Sequence, residues 1–202
     1  MLGTFFAASR NTPAGNRAGG ERHPRARYEQ SLTETKMSDF TPPKPTKEHE
    51  WLHQLVGEWT WESDMSPEPG KPEEKHRGSE SVHSLDGIWV IAEGKSEMPD
   101  GAQSASVMTL GYDPRIERYV GTFVAAMMTG LWIYEGTLDT SKNELVLDTE
   151  GPSFSDMNKR AKYKDTIRVE DSDHRVLSSV YQDENGKWNQ FMVSRYTRKP
   201  SR

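Results

Sequence analysis

From Glu58 onward the side chains of this chain alternate at a period of two, in short runs separated by tight-turn signals. Trp59 and Trp61 share one face of the first run, while Thr60 and Glu62 point the other way. Further runs are predicted over His76–Leu85, 87–98, Ser104–Tyr112, Arg115–Ala126 and Leu131–Asp139. Glu144–Glu150, Arg160–Glu170, Arg175–Asp183 and Lys187–Arg198 complete the series. The breaks are chemical: Asp86-Gly87, Pro99-Asp100-Gly101, Asp113-Pro114 and Asn185-Gly186 are residues that tight turns demand. About ten hairpin-linked strands with no long crossover predict an all-β fold, a single antiparallel up-and-down barrel. Closure removes the exposed edges such a sheet would otherwise carry. A barrel of this strand number is wide enough to hold a small ligand.

One short helix precedes the strands. Pro42, Pro43 and Pro45 form a stiff lead-in, Thr46 is a reasonable N-cap, and Trp51, Leu52, Leu55 and Val56 fall on one stripe at helical spacing. Gly57 supplies the left-handed conformation that ends the helix. The predicted helix therefore runs Thr46–Val56 and sits on the barrel as a lid, with Trp51 and Leu52 facing inward.

The same stretch, HEWLHQLVGEWTWE, spells H-E-x-x-H, the zinc helix of many metalloproteases. His49 and His53 lie one turn apart, as two zinc ligands require, and Glu50 would be the general base. A catalytic zinc also needs a third protein ligand. No histidine follows at the metzincin spacing, no second helix offers a glutamate, and the helix stops one turn after His53. The expectation is no metal, with His49 and His53 as exposed residues flanking a packing stripe.

Composition narrows the function classes. The apolar fraction is 33%, below the ~45–50% usual for globular domains. A disordered segment and a partly wet interior together account for the shortfall. Residues 1–36 carry a formal charge of +3, while residues 37–202 carry −8. An acidic folded part does not suit nucleic acid. No window approaches the ~18 uninterrupted apolar residues of a membrane span. Zero cysteines exclude a disulfide framework and thiolate chemistry, and fit a reducing, cytoplasmic setting. Residues 1–43 read as a disordered extension, with Met37 the expected natural start, and residues 44–199 as the barrel domain.

The helix running into Gly57-x-Trp59 resembles the opening of the calycins, the lipocalin and fatty-acid-binding barrels. There the tryptophan closes one end of the barrel beneath an arginine from the last strand. The resemblance implies that role for Gly57, Trp59 and Arg198, the arginine of Tyr196-Thr197-Arg198-Lys199. By alternation Arg198 shares its face with Trp188, Met192 and Tyr196. The stretches KPTKEHEWLHQLVGEWTWE, LGYDPRIERYVGTFVAAMMTGLWIYEGTLD and YTRK are similar to a bacterial family known only as domain of unknown function 1579. That family implies a calycin-like barrel and no established activity. The nitrobindins, another calycin-like group, hold haem through a histidine near the last strand. Here that strand carries none and the final histidine is His174, so no haem or other cofactor is expected. His76 and His83 are an odd number apart, so at most one faces inward.

Candidate lumen residues are Trp61, Trp89, Ile91, Met108, Tyr112, Phe123, Trp132, Tyr134 and Tyr181. Six tryptophans and nine methionines offer large, adaptable walls. Arg118, Glu135 and Gln190 are polar candidates for orienting a ligand. Lys159, Arg160, Lys162 and Lys164 alternate with Ala161 and Tyr163 and read as one outer face. There is no G-x-S-x-G, glycine-rich phosphate loop or cysteine nucleophile. The expected function is binding of one small, mostly apolar molecule in the lumen, without chemistry. The alternatives are a pocket enzyme using haem or metal, and a homo-oligomeric interaction module.

Overall fold

The computed structural model describes residues 41–66, 73–97 and 101–200. The expected N-terminal extension, most of the proline-rich loop after Ser66 and the turn at Pro99 lie outside these residues. From Pro42 on, the described residues belong to one compact unit.

A short helix α1, Lys47–Leu52, continues as a 3-10 turn over His53–Leu55. Ten strands follow: β1 Gly57–Met65, β2 Glu74–Leu85, β3 Trp89–Glu97, β4 Gln103–Asp113, β5 Arg118–Ala125, β6 Trp132–Asp139, β7 Glu144–Pro152, β8 Arg160–Val169, β9 His174–Gln182 and β10 Trp188–Arg198. Each pairs antiparallel with its sequence neighbours, and β1 pairs with β10, so the sheet is a closed up-and-down barrel. The turn chemistry fits the strands it joins. Asp86 and Gly87 both have positive φ, 50° and 74°, at the centre of a turn closed by the Ile88 N–H donating to the Leu85 carbonyl at 3.1 Å, a twist that suits the flanking strands. Gly186 takes φ 79° where the β9–β10 loop needs a left-handed residue.

Alternation decides what is inside. On β7, Leu145, Leu147, Thr149 and Gly151 are buried at every second position. The inner faces of the other strands join this set around a core that includes Leu52, Leu55, Trp59, Val82, Leu110 and Ile167. One register irregularity matters. A bulge on β10 between Gln190 and Met192 shifts the face on which its side chains point. Trp188 therefore does not share the inner face of Met192, Tyr196 and Arg198. It lies on the outer face, with the Lys164 ammonium 5.1 Å above its ring. The basic stretch of β8 is also outward: Arg160 pairs with Glu150 at 3.4 Å and Lys164 with Asp148 at 2.8 Å. Among the described residues, no helix is long and apolar enough to cross a membrane.

Candidate functional site

The barrel is sealed at the end where α1 lies. Trp59 is fully buried there, and its indole Nε1 donates to the Leu55 carbonyl at 2.9 Å. Arg198 covers the ring with its guanidinium carbon 4.1 Å from the centroid. Its nitrogens donate to three carbonyls, those of Val56 (2.6 Å), Gln54 (3.0 Å) and Ser172 (2.6 Å). Two of these acceptors, Gln54 and Val56, belong to the end of the helical segment, where carbonyls lack intrahelical partners. Gly57, at φ 137°, lets the backbone turn into β1 with no side chain in the space Arg198 occupies. Gly57, Trp59 and Arg198 thus meet at one point.

The two histidines of the H-E-x-x-H stretch differ in their surroundings. His49 is buried rather than exposed, because it sits on the face of α1 that meets β4. Its Nδ1 accepts the Thr46 backbone N–H at 3.0 Å, and its ring meets Tyr112 edge-on at 5.8 Å. His53 is exposed. Among the described residues, no three or more His, Cys, Asp or Glu side chains cluster as a metal site would require.

Above the sealed end lies a cavity of about 320 Å³. It is hollow because two neighbouring strands place small residues inward: Ala92, Gly94 and Ser96 on β3, and Ser104 and Ser106 on β4. Its larger walls are Trp61, Met108, Phe123, Trp132 and Tyr134. Met127 and Met128, both exposed, stand at its rim. His76 lines it too, while His83 points out.

The other candidates lie elsewhere, each for a reason of register. Trp89 and Ile91 share the outer face of β3, because Val90 and Ala92 take the inner one; Trp89 lies over Gly111. Tyr112 faces inward but beyond the seal, against His49 and Tyr119. Tyr181 also faces inward, yet it is spent in an aromatic cluster with Phe154, Tyr163 and Phe191, centroids 4.9 to 6.4 Å apart. Arg118 and Glu135 form an outer-face ion pair at 3.6 Å. Gln190 is exposed.

The lumen also contains polar groups that sequence reasoning missed. Glu80 and Arg175 form a buried ion pair, and Arg175 stacks between Trp59 (4.7 Å) and Tyr196 (4.0 Å). Asp165 accepts hydrogen bonds from Tyr134 at 2.6 Å and Ser179 at 2.5 Å. Ser194 and Ser63 bond each other at 2.9 Å. Asp165 is packed deep among protein atoms, and what remains accessible is cavity wall. Burial pushes its carboxyl above the ordinary carboxylate range, against the pull of its two hydroxyl donors. Burial likewise raises Tyr134, with the Asp165 charge reinforcing the shift. Tyr196 rises through burial and through Glu80. The signal for these residues was parity: Asp165 lies two positions from both Tyr163 and Ile167, and Arg175 two from Leu177.

Comparison with known proteins adds shape and lineage. Rv2717c from M. tuberculosis superposes with a TM-score of 0.58 at 12% identity, covering 78% of this chain and 100% of its own. The S-type phycobiliprotein lyase CPES from Guillardia theta gives 0.49 at 15% identity, covering 79% and 100%. A redesigned β-barrel, mFAP0, bound to DFHBI gives 0.38 at 10% identity, covering 72% and 99%. No curated protein matches the chain. The model of one family, described as protein of unknown function (DUF1579), matches residues 44–198. A match over most of the chain, on a barrel with this seal and this lumen, makes the protein a member of the DUF1579 family.

Proposed function

We propose that this is a calycin-like container that takes up one small, mostly apolar molecule in its lumen and performs no chemistry on it. The observation that carries the reading is the cavity of about 320 Å³, within the ~300–1,000 Å³ typical of ligand pockets. Leaving such a volume empty is unfavourable, since its lining forgoes packing contacts. The wall composition favours an apolar guest: Ala92, Met108, Leu110, Phe123, Trp132 and Leu177 all line the cavity.

The test uses the tryptophans in the wall. Trp61 and Trp132 line the cavity, so occupancy changes their fluorescence. Titration with a fatty acid, a retinoid and haemin should give saturable quenching with at least one of them. Replacement of Trp132 by Phe should remove part of that signal. A flat response to all three, and to smaller apolar molecules with neutral or cationic head groups, overturns the reading.

A second reading, a pocket enzyme, is favoured by the buried Tyr134–Asp165–Ser179 set. Buried titratable groups with displaced pKa values cluster at reactive sites. Mass spectrometry of a bound ligand after prolonged incubation separates the two, because a container returns it unchanged.

A further inference from the structure

The lumen holds a carboxylate with no cation beside it. Asp165 accepts from two hydroxyls, those of Tyr134 through Oδ2 and Ser179 through Oδ1, and these are its side-chain partners among the described residues. The lumen's guanidinium, Arg175, is already committed to Glu80. The three charged side chains Glu80, Arg175 and Asp165 therefore leave the interior one formal negative charge in excess. An unpaired buried charge is costly, and a counter-charge in the same cavity relieves that cost.

A second atom nearby is also unfulfilled. The Thr149 hydroxyl is buried, 8% exposed as a residue, and has no hydrogen-bond partner among the described residues. The β7–β8 register sets Leu147 against Asp165 and Thr149 against Tyr163. Thr149 and Asp165 are thus diagonal neighbours on the inner face, a separation of about 7–8 Å between backbone positions. One small polar group between them reaches both. Both residues line the cavity, and so do the apolar side chains of Met108, Phe123 and Trp132.

We propose that the molecule held in the lumen carries a primary ammonium on an apolar body, with Asp165 and Thr149 as its anchor. An ammonium brings three donors and no acceptor. One N–H meets a carboxylate oxygen of Asp165 and another the Thr149 hydroxyl oxygen, while the hydrocarbon lies along Phe123 and Met108. This assignment rests on the lumen-binding reading above and names the ligand class for it. A carboxylate-bearing guest would bring a second unpaired negative charge beside Asp165. It would also have to take Arg175 from Glu80.

The test compares three head groups on one tail: n-octylamine, n-octanol and n-octanoate, titrated into the full chain at neutral pH. Octylamine should bind about tenfold or more tightly than either of the others, as a charge-assisted hydrogen bond warrants. Asp165→Asn should bring octylamine down to the level of octanol, and Thr149→Val should weaken it by a smaller factor. Circular dichroism checks that each variant folds. If Asp165→Asn does not, Thr149→Val and the wild-type head-group order still decide. Octanoate binding tightest, or all three agreeing within about twofold, overturns the ammonium anchor while leaving lumen binding intact. No saturation by any of the three, alongside a flat response to the fatty acid, retinoid and haemin, removes both.

Discussion

Arg198 closes over Trp59 at 4.1 Å, and a second cation, Arg175, lies 4.7 Å from the same indole. The two arginines differ in what they tie together. Arg175 is held inside by Glu80, whereas Arg198 reaches out to the carbonyls of Gln54, Val56 and Ser172. The Arg198–Trp59 contact therefore links the last strand, the end of the helical lid and the β8–β9 connection. Arg198→Ala removes a cation–π contact worth about 0.5–2 kcal/mol and leaves three carbonyls without their charged donor. The expected loss is about 2–4 kcal/mol, read as a fall in the urea midpoint at unchanged slope. Arg198→Lys should recover only part of it, since an ammonium lacks the planar fork that reaches several acceptors at once.

How far the sequence foretold this arrangement depends on the scale considered. The strands were legible because period-two alternation and turn pairs such as Asp86-Gly87 are local properties. The seal was legible through the G-x-W resemblance. The lumen was legible only in part, because inward and outward faces look alike without register. Glu135 is a lumen candidate by its chemistry, but it shares parity with Leu131 and Ile133 against Trp132 and Tyr134, and it faces out. Conversely, Ala161 and Tyr163 alternate with the outward lysines, and that parity carries straight to Asp165. A buried acid in a strand contradicts the ordinary expectation that charge is solvated, so alternation alone does not single it out. The β10 bulge left no local sign, and it moved Trp188 to the outside.

Asn143 should be a weak point of the lid despite its distance from the cavity. It holds φ 56°, a conformation few residues other than glycine and asparagine adopt readily. Its side chain accepts the Trp51 indole N–H at 2.7 Å and donates to the Val169 carbonyl at 3.0 Å. Asn143→Ala strains the backbone and strands the Trp51 N–H. It should destabilise the fold by about 2–3 kcal/mol. Asn143→Gly relieves the strain but restores neither hydrogen bond, so its midpoint should lie between those of Ala and wild type.

Filling the lumen should separate folding from binding. Ser106 faces the cavity on β4, close to Gly94. Ser106→Leu projects three extra carbons into existing space and buries apolar surface, so the melting temperature should hold or rise by a few degrees. The guest would then lose part of its room and meet a branched side chain where the wall was small. Any ligand that quenches wild-type tryptophan fluorescence should bind Ser106→Leu more than about tenfold more weakly. Unchanged affinity would place the ligand outside the barrel.

Asp165 gives the pH dependence a definite sign. Burial raises its carboxyl above the ordinary value of 3.8, so the folded chain binds a proton more tightly than the unfolded one does. The linked penalty is absent below the unfolded value, grows as pH rises through the window between the two, and is complete above the folded value. Asp165→Asn keeps a side chain of the same shape that cannot ionise. It should therefore raise the melting temperature at about pH 7–8 and lose that advantage as pH falls toward about 4. The measurement is a pair of melting curves, wild type and Asp165→Asn, followed across that range without ligand. A wild type that is more stable than the variant at neutral pH, and loses its lead in acid, would mean that the ionised carboxylate is stabilised by its hydroxyl donors more than burial disfavours it. Adding octylamine reverses the comparison by design. If the ammonium seats against Asp165, it should raise the melting temperature of the wild type and not of the variant, by an amount that grows with free ligand concentration.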